Sequence, residues 1–217
     1  VTAFNFASYT NFESSQVHPI ALTPSKARLL AVNTPDARLE AFHVESDGSL
    51  TPEWSLPVGL EPVSVTVRTE HEAWVVNTLS DTVSIVDLDT PVVTKTLVVG
   101  DEPTDVAFTA TRAFVAISDE DAVKVYNLAN LAAAPTVIDI FSRKVRALAV
   151  SPDGAMVYAV ALRSGNATSV ISDNVAATNQ STLQPALLAA LGLADHTCPA
   201  TPPAEPPLPN GILRNPA

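Results

Sequence analysis

The chain has 217 residues, of which 47% are hydrophobic and 16% charged, with a formal net charge of −11. That length supports one substantial core or one domain plus an extension, and the apolar content excludes a disordered acidic chain. The acidic excess argues against nucleic acid and anionic membrane surfaces, which need clustered Lys and Arg, and is compatible with a cation or a basic partner.

No apolar run reaches the roughly 18 residues of a membrane helix. The chain opens on Val1 with no basic leader, which points to a processed or truncated start. Cys198 is the single cysteine, so an intrachain disulfide is excluded; pairing with another chain and a plain free thiol both stay open. Short runs rich in Val and Thr favour strands over helices.

From the N-terminus, residues 1–6 (Val1, Phe4 and Phe6 among them) read as a strand that would complete a neighbouring blade. Four segments then align: 18–22 followed by 29–33, 61–67 by 73–77, 102–108 by 113–117, and 145–154 by 157–160. Their anchors Pro19, Pro62, Pro103 and Arg146 stand 43, 41 and 43 residues apart. A period near 40 with several short strands is the signature of propeller blades. The second repeat gives four strands, 63–67, 73–77, 82–88 and 92–99, with turns at 70–72, 78–81 and 89–91, and Gly100 ends it. The third copies it, with 122–128 and 136–140 as its last two strands. In the fourth, 168–172 reads as a third strand and no clear fourth follows. The predicted fold is all-β: a β-propeller of four-stranded antiparallel blades, about three and a half in this chain, over residues 1–174. Apolar residues on both blade faces fit blades sandwiched between blades, and a two-sheet sandwich is the plainer alternative.

Composition shifts after Asn174. Residues 183–191 read as a short Ala/Leu helix, capped by Ser181 or Thr182 and ended near Gly192. Seven prolines follow between 199 and 217, which favours an extended path, either a linker or an arm lying along a partner through Leu208, Ile212 and Leu213. Residues 175–217 thus form a helix and Pro-rich extension.

The blade topology puts interblade links and the turns between second and third strands on one rim. That rim collects His18, Asp36, Glu61, Asn77, Ser80, Asp81, Asp101, Glu102, Asp119, Glu120 and Asp121. Oxygen clusters suit Ca²⁺ or another divalent cation. Solvated turn residues are the plain alternative, since Asp and Asn favour turns for local reasons. His18, Asp81, Asp101, Glu102, Asp119, Glu120 and Asp121 are the candidate ligand or cation residues; no catalytic residue stands out. His196 and Cys198 form a weak soft-metal pair on a poorly rigid Pro-rich segment. No Cys-x-x-Cys-His is present, so no haem attaches covalently to this chain, and no Gly-x-Ser-x-Gly or P-loop occurs. Trp74 and Tyr158 hold equivalent strand positions and read as blade packing. Asn166-Ala167-Thr168 and Asn179-Gln180-Ser181 are glycosylation-type sequons.

Trp74-Val75-Val76-Asn77, the run Ser80-Asp81-Thr82-Val83-Ser84-Ile85-Val86-Asp87, and Val150-Ser151-Pro152-Asp153-Gly154 carry a resemblance over residues 18–173. At these motifs the chain resembles the YVTN-repeat β-propeller family. The resemblance implies an extracytoplasmic setting, and a ring larger than this chain supplies, with a second polypeptide or a following domain completing it. The leading functional reading is a non-catalytic scaffold binding a protein partner or ligand. The alternatives are a lactonase-like hydrolase using rim carboxylates and a divalent cation, and the propeller part of a cytochrome-containing redox protein.

Overall fold

The computed structural model describes residues 15–164. Expectations for residues 1–6, 168–172, 183–191 and 199–217, and for His196 and Cys198, lie outside them.

Fourteen strands fill the described residues, in three four-stranded meanders and one two-stranded unit. Blade 1 is β1 (Ile20–Leu22), β2 (Arg28–Asn33), β3 (Arg38–Val44) and β4 (Leu50–Pro57). Blade 2 is β5 (Pro62–Thr69), β6 (Glu72–Asn77), β7 (Thr82–Asp87) and β8 (Val92–Val98). Blade 3 is β9 (Pro103–Phe108), β10 (Arg112–Ile117), β11 (Ala122–Asn127) and β12 (Thr136–Asp139). The fourth unit is β13 (Ser142–Val150) and β14 (Val157–Ser164). Every pairing within these sheets is antiparallel. The strands of repeats two and three fall where the sequence predicts, to within a few residues. Glu72, predicted as turn, instead opens β6 opposite Asp87. No helix long and apolar enough to cross a membrane occurs among the described residues.

Proline placement follows from its missing N–H. Pro62 and Pro103 each begin a first strand, while Pro52 and Pro57 lie on β4, an outermost strand with a free edge. A bulge recurs near the start of three first strands, around Val63 in β5, Thr104 in β9 and Arg146 in β13. It twists each strand as it enters the centre.

Neither face of a meander rich in Val and Ala is covered by its own strands, so the apolar cores form between blades. Leu30, Val32, Leu39 and Ala41 of blade 1 meet Val65, Val75, Val86 and Leu88 of blade 2. Trp74, Val76, Val83 and Ile85 meet Val106, Ala113, Val115 and Tyr126 of blade 3. Ala107, Ala116 and Val123 meet Val145 and Leu148 of the fourth unit. Trp74 is fully buried, with the Phe108 ring edge-on at 5.1 Å.

The first strands line up side by side at the centre, joined by hydroxyls rather than by a continuous ladder. Ser64 Oγ donates to the Thr104 carbonyl (2.8 Å), Thr66 Oγ1 to Val106 (2.9 Å) and Thr104 Oγ1 to Val145 (3.2 Å). Nearer the rim, Thr34 Oγ1 donates to the Pro62 carbonyl and Thr78 Oγ1 to that of Pro103, both at 2.7 Å. These bonds give the carbonyls partners across the blade interfaces.

Candidate functional site: an acidic rim and a buried carboxylate in the channel

The rim follows from one repeated backbone device. The turns after second strands place Ala37, Asp81 and Asp121 at φ near +55°, and the entries to the next first strands place Glu61, Glu102 and Lys144, the last within β13, at similar angles. Asp tolerates this left-handed region because its short side chain bonds nearby backbone. Asp81 Oδ1 accepts from the Glu102 amide (3.2 Å) and Asp121 Oδ1 from the Lys144 amide (2.7 Å), so each carboxylate caps the start of the next blade. Ala37, at the same place in blade 1, has no carboxylate to offer. Gly100 holds φ at +122°, a backbone conformation that favours glycine, and a Cβ there would push aside the ends of the Glu120 and Lys124 side chains.

The structure places Asp81, Asp101, Glu102, Asp119, Glu120 and Asp121 along one rim, and it places counter-charges among them. Lys144 Nζ lies between Glu102 (3.2 Å) and Asp119, with which it makes a short ion pair. Lys124 pairs with Glu120 at 2.7 Å and Arg143 with Asp121 at 2.9 Å. Among the described residues Asp101 has no such cation; partial desolvation, then the charges of Asp119 and Asp81, raise its pKa above the ordinary aspartate value. Among the described residues no group of three or more His, Cys, Asp or Glu has a geometry that would hold a metal ion. Asn77 lies apart from this solvated rim. It is fully buried, its amide donating to Ser84 Oγ (3.0 Å) and Thr82 Oγ1 (3.2 Å).

His18 does not join the rim carboxylates. Its Nδ1 lies 3.0 Å from the carboxylate of Asp105, which is completely buried on β9. That carboxylate also accepts the amides of Val106 (2.9 Å) and Leu148 (2.7 Å), so it ties blade 1 and the fourth unit to blade 3. Desolvation raises the Asp105 pKa, partly offset by the Leu148 amide and by His18. With Asp105 ionised, Nδ1 is the donor in this contact. The His18 ring is half exposed and lines a channel cavity of about 540 Å³, walled by apolar side chains of β1, β5, β9 and β13.

Asp105, Lys144 and Arg146 are the residues that sequence reasoning missed. Asp105 carries a legible signal, a carboxylate that falls within the predicted first strand of the third repeat, directly before the apolar run Val106-Ala107-Phe108. Lys144 occupies the slot that holds Glu61 and Glu102 in earlier repeats, a charge inversion hidden by anchoring the fourth repeat on Arg146, one residue out of the register that the positive-φ positions and bulges define. Arg146 is partly buried; desolvation lowers its pKa, and its guanidinium donates to Ser15 Oγ at 3.0 Å. Tyr158 corrects an expectation: it is 51% exposed, because among the described residues no blade covers its face.

With meanders stacked through interblade cores and first strands gathered at the centre, the architecture is decided. The fold is a β-propeller. Solved structures agree. The chain is similar to hydrazine synthase of Kuenenia stuttgartiensis (TM-score 0.60, 22% identity, covering 72% of this chain and 45% of that one). It is similar to a putative 6-phosphogluconolactonase of Bacteroides uniformis (TM-score 0.57, 16% identity, 69% and 52%). The WD40 repeats of RRP9 also match (TM-score 0.52, 16% identity, 63% and 42%). The propeller chain thus spans about half the length of these solved structures. No protein-family profile matches it, and no curated protein does.

Proposed function

We propose that this chain is a non-catalytic propeller scaffold that works outside the cytoplasm and docks a second polypeptide against its fourth unit. One observation carries the reading. On β14, Tyr158, Val160 and Leu162 alternate onto one face and are 51%, 60% and 67% exposed. Such a face is covered by a neighbouring blade wherever it recurs in blades 1 to 3, and an uncovered apolar face of this kind marks an interaction surface. The span of about half the length of similar chains is consistent with further blades beside the fourth unit. The extracytoplasmic setting and the YVTN-type assignment rest on the motif resemblance. The rim favours a scaffold over a divalent-cation hydrolase, because Lys144, Lys124 and Arg143 already stand among its carboxylates.

Native mass spectrometry of the purified particle tests this reading. The scaffold predicts a complex heavier than the 22.8 kDa chain, reduced to that mass by Val160→Glu with Leu162→Glu. A folded monomer at 22.8 kDa from the unsubstituted chain sinks it.

A further inference from the structure

We propose that a cavity at the opposite end of blade 3, away from the acidic rim, binds a small organic carboxylate. The cavity has a volume of about 770 Å³, within the range of small-ligand sites. It lies under the loop joining β11 to β12, which runs from 128 to 135, twice the length of the 88–91 connection in blade 2. Two asparagine-based turns hold that loop. Asn127 Oδ1 accepts from the Ala129 amide (3.0 Å) and Asn130 Oδ1 from the Ala132 amide (3.2 Å). With these polar groups satisfied locally, the loop offers the cavity an apolar wall at Ala133 and Ala134.

The charge of the lining sets the ligand. In a chain of net charge −11, Arg68 and Arg112 both line this cavity and no carboxylate does. Arg68 is compensated by Glu72 at 2.8 Å. Arg112 is exposed and has neither an ion pair nor a side-chain hydrogen bond among the described residues. The contrast is with Arg28, which likewise opens a second strand. Its guanidinium is filled by both Glu53 oxygens (2.6 Å each) and by the Leu88 carbonyl (3.2 Å). Arg112 thus presents an unused planar fork that matches one carboxylate in bidentate fashion. One uncompensated guanidinium balances a monoanion better than a phosphate dianion. Thr111 and Asn127 flank it with further hydrogen-bonding groups, and the Tyr126 ring and the alanine wall suit an apolar body.

Sodium benzoate is the probe, titrated into the full chain at constant ionic strength and followed by amide NMR. The expected result is saturable shifts confined to residues around 111, 127 and 129–134, with a Kd on the order of millimolar for so small a ligand. Arg112→Gln weakens binding at least about tenfold, and Arg112→Lys weakens it less, retaining charge but losing the fork. Arg38→Gln, elsewhere on the surface, leaves it unchanged. Arg112→Lys supplies the readout should Arg112→Gln fold poorly. Absence of saturation, equal affinity in the Arg112 variants, or tighter binding of inorganic phosphate than of benzoate overturns the assignment.

Discussion

β6 of blade 2 and β14 of the fourth unit are the same strand of the repeat, with nearly the same apolar composition, and they end in opposite environments. On β6, Trp74 is fully buried, meets Phe108 of blade 3 edge-on and donates its indole N–H to Glu72 (2.9 Å). On β14, Tyr158 is half exposed and Val160 and Leu162 more so. The strand's own residues do not decide burial. The next blade does, because a meander has two apolar faces and no means of covering either itself.

If neighbour contact sets the energetics, Trp74→Ala is the most damaging single change, at about 3–5 kcal/mol, the usual cost of emptying a large aromatic site. Tyr158→Ala, at the matching place, stays below about 1 kcal/mol in the isolated chain. Paired urea melts of the two variants measure the contrast, and similar losses at both sites would break it.

Second in size is Asp105, whose carboxylate serves two blade amides and His18. Asp105→Ala leaves the Leu148 and Val106 amides buried without acceptors, at about 2–4 kcal/mol, and Asp105→Asn recovers only part of that. Hydrogen exchange sharpens the test: the Leu148 amide loses protection in both variants, ahead of amides in blade 1.

Third, Ser64→Ala removes one hydroxyl-to-carbonyl link between blades 2 and 3 and strands the buried Thr104 carbonyl, at about 1–2 kcal/mol. A urea midpoint shift with an unchanged m-value checks it.

The smallest expected effects are in the acid limb of stability. Arg28 holds the Glu53 carboxyl below its ordinary value. A lowered folded-state pKa stabilises above the unfolded value, about 4.3, and that stabilisation is lost as pH falls through the lowered one. Asp105 has the opposite sign. Its raised pKa means the folded state holds the proton more tightly, so this group's contribution is full at low pH and declines as pH rises through the range between the unfolded value, about 3.9, and the raised one. Melting temperatures between pH 3 and 7 therefore shift in opposite senses for Glu53→Gln and Asp105→Asn. Parallel curves would contradict the assignment of the two shifts.

The repeat was legible because blade packing writes itself locally. Apolar and polar residues alternate along strands such as β5 and β7, turn residues fall at 78–81 and 118–121, and the period stays near 40. The outer strands of blade 1 were harder to see. β4 carries Pro52 and Pro57 and is largely exposed, so it lacks the apolar alternation that marks β7. At the site, the six rim carboxylates could be placed from turn positions alone. Their cations could not, because Lys144 reaches Glu102 and Asp119 across 42 and 25 residues, and such pairing depends on how neighbouring blades dock. The same limit hid His18 and Asp105, 87 residues apart and joined only through the channel.

The hydroxyl links between blades all run one way. Thr34, Ser64, Thr66, Thr78 and Thr104 each give a proton to a carbonyl farther along the chain. The series of donors stops short of the fourth unit, whose first strand β13 carries Ala147 and Ala149 and has Ser142 as its one hydroxyl residue. A blade set against that face is therefore held by the side chains of Tyr158, Val160 and Leu162 and not by a further hydroxyl-to-carbonyl bond, so its grip is set by shape and apolar area rather than by polar register.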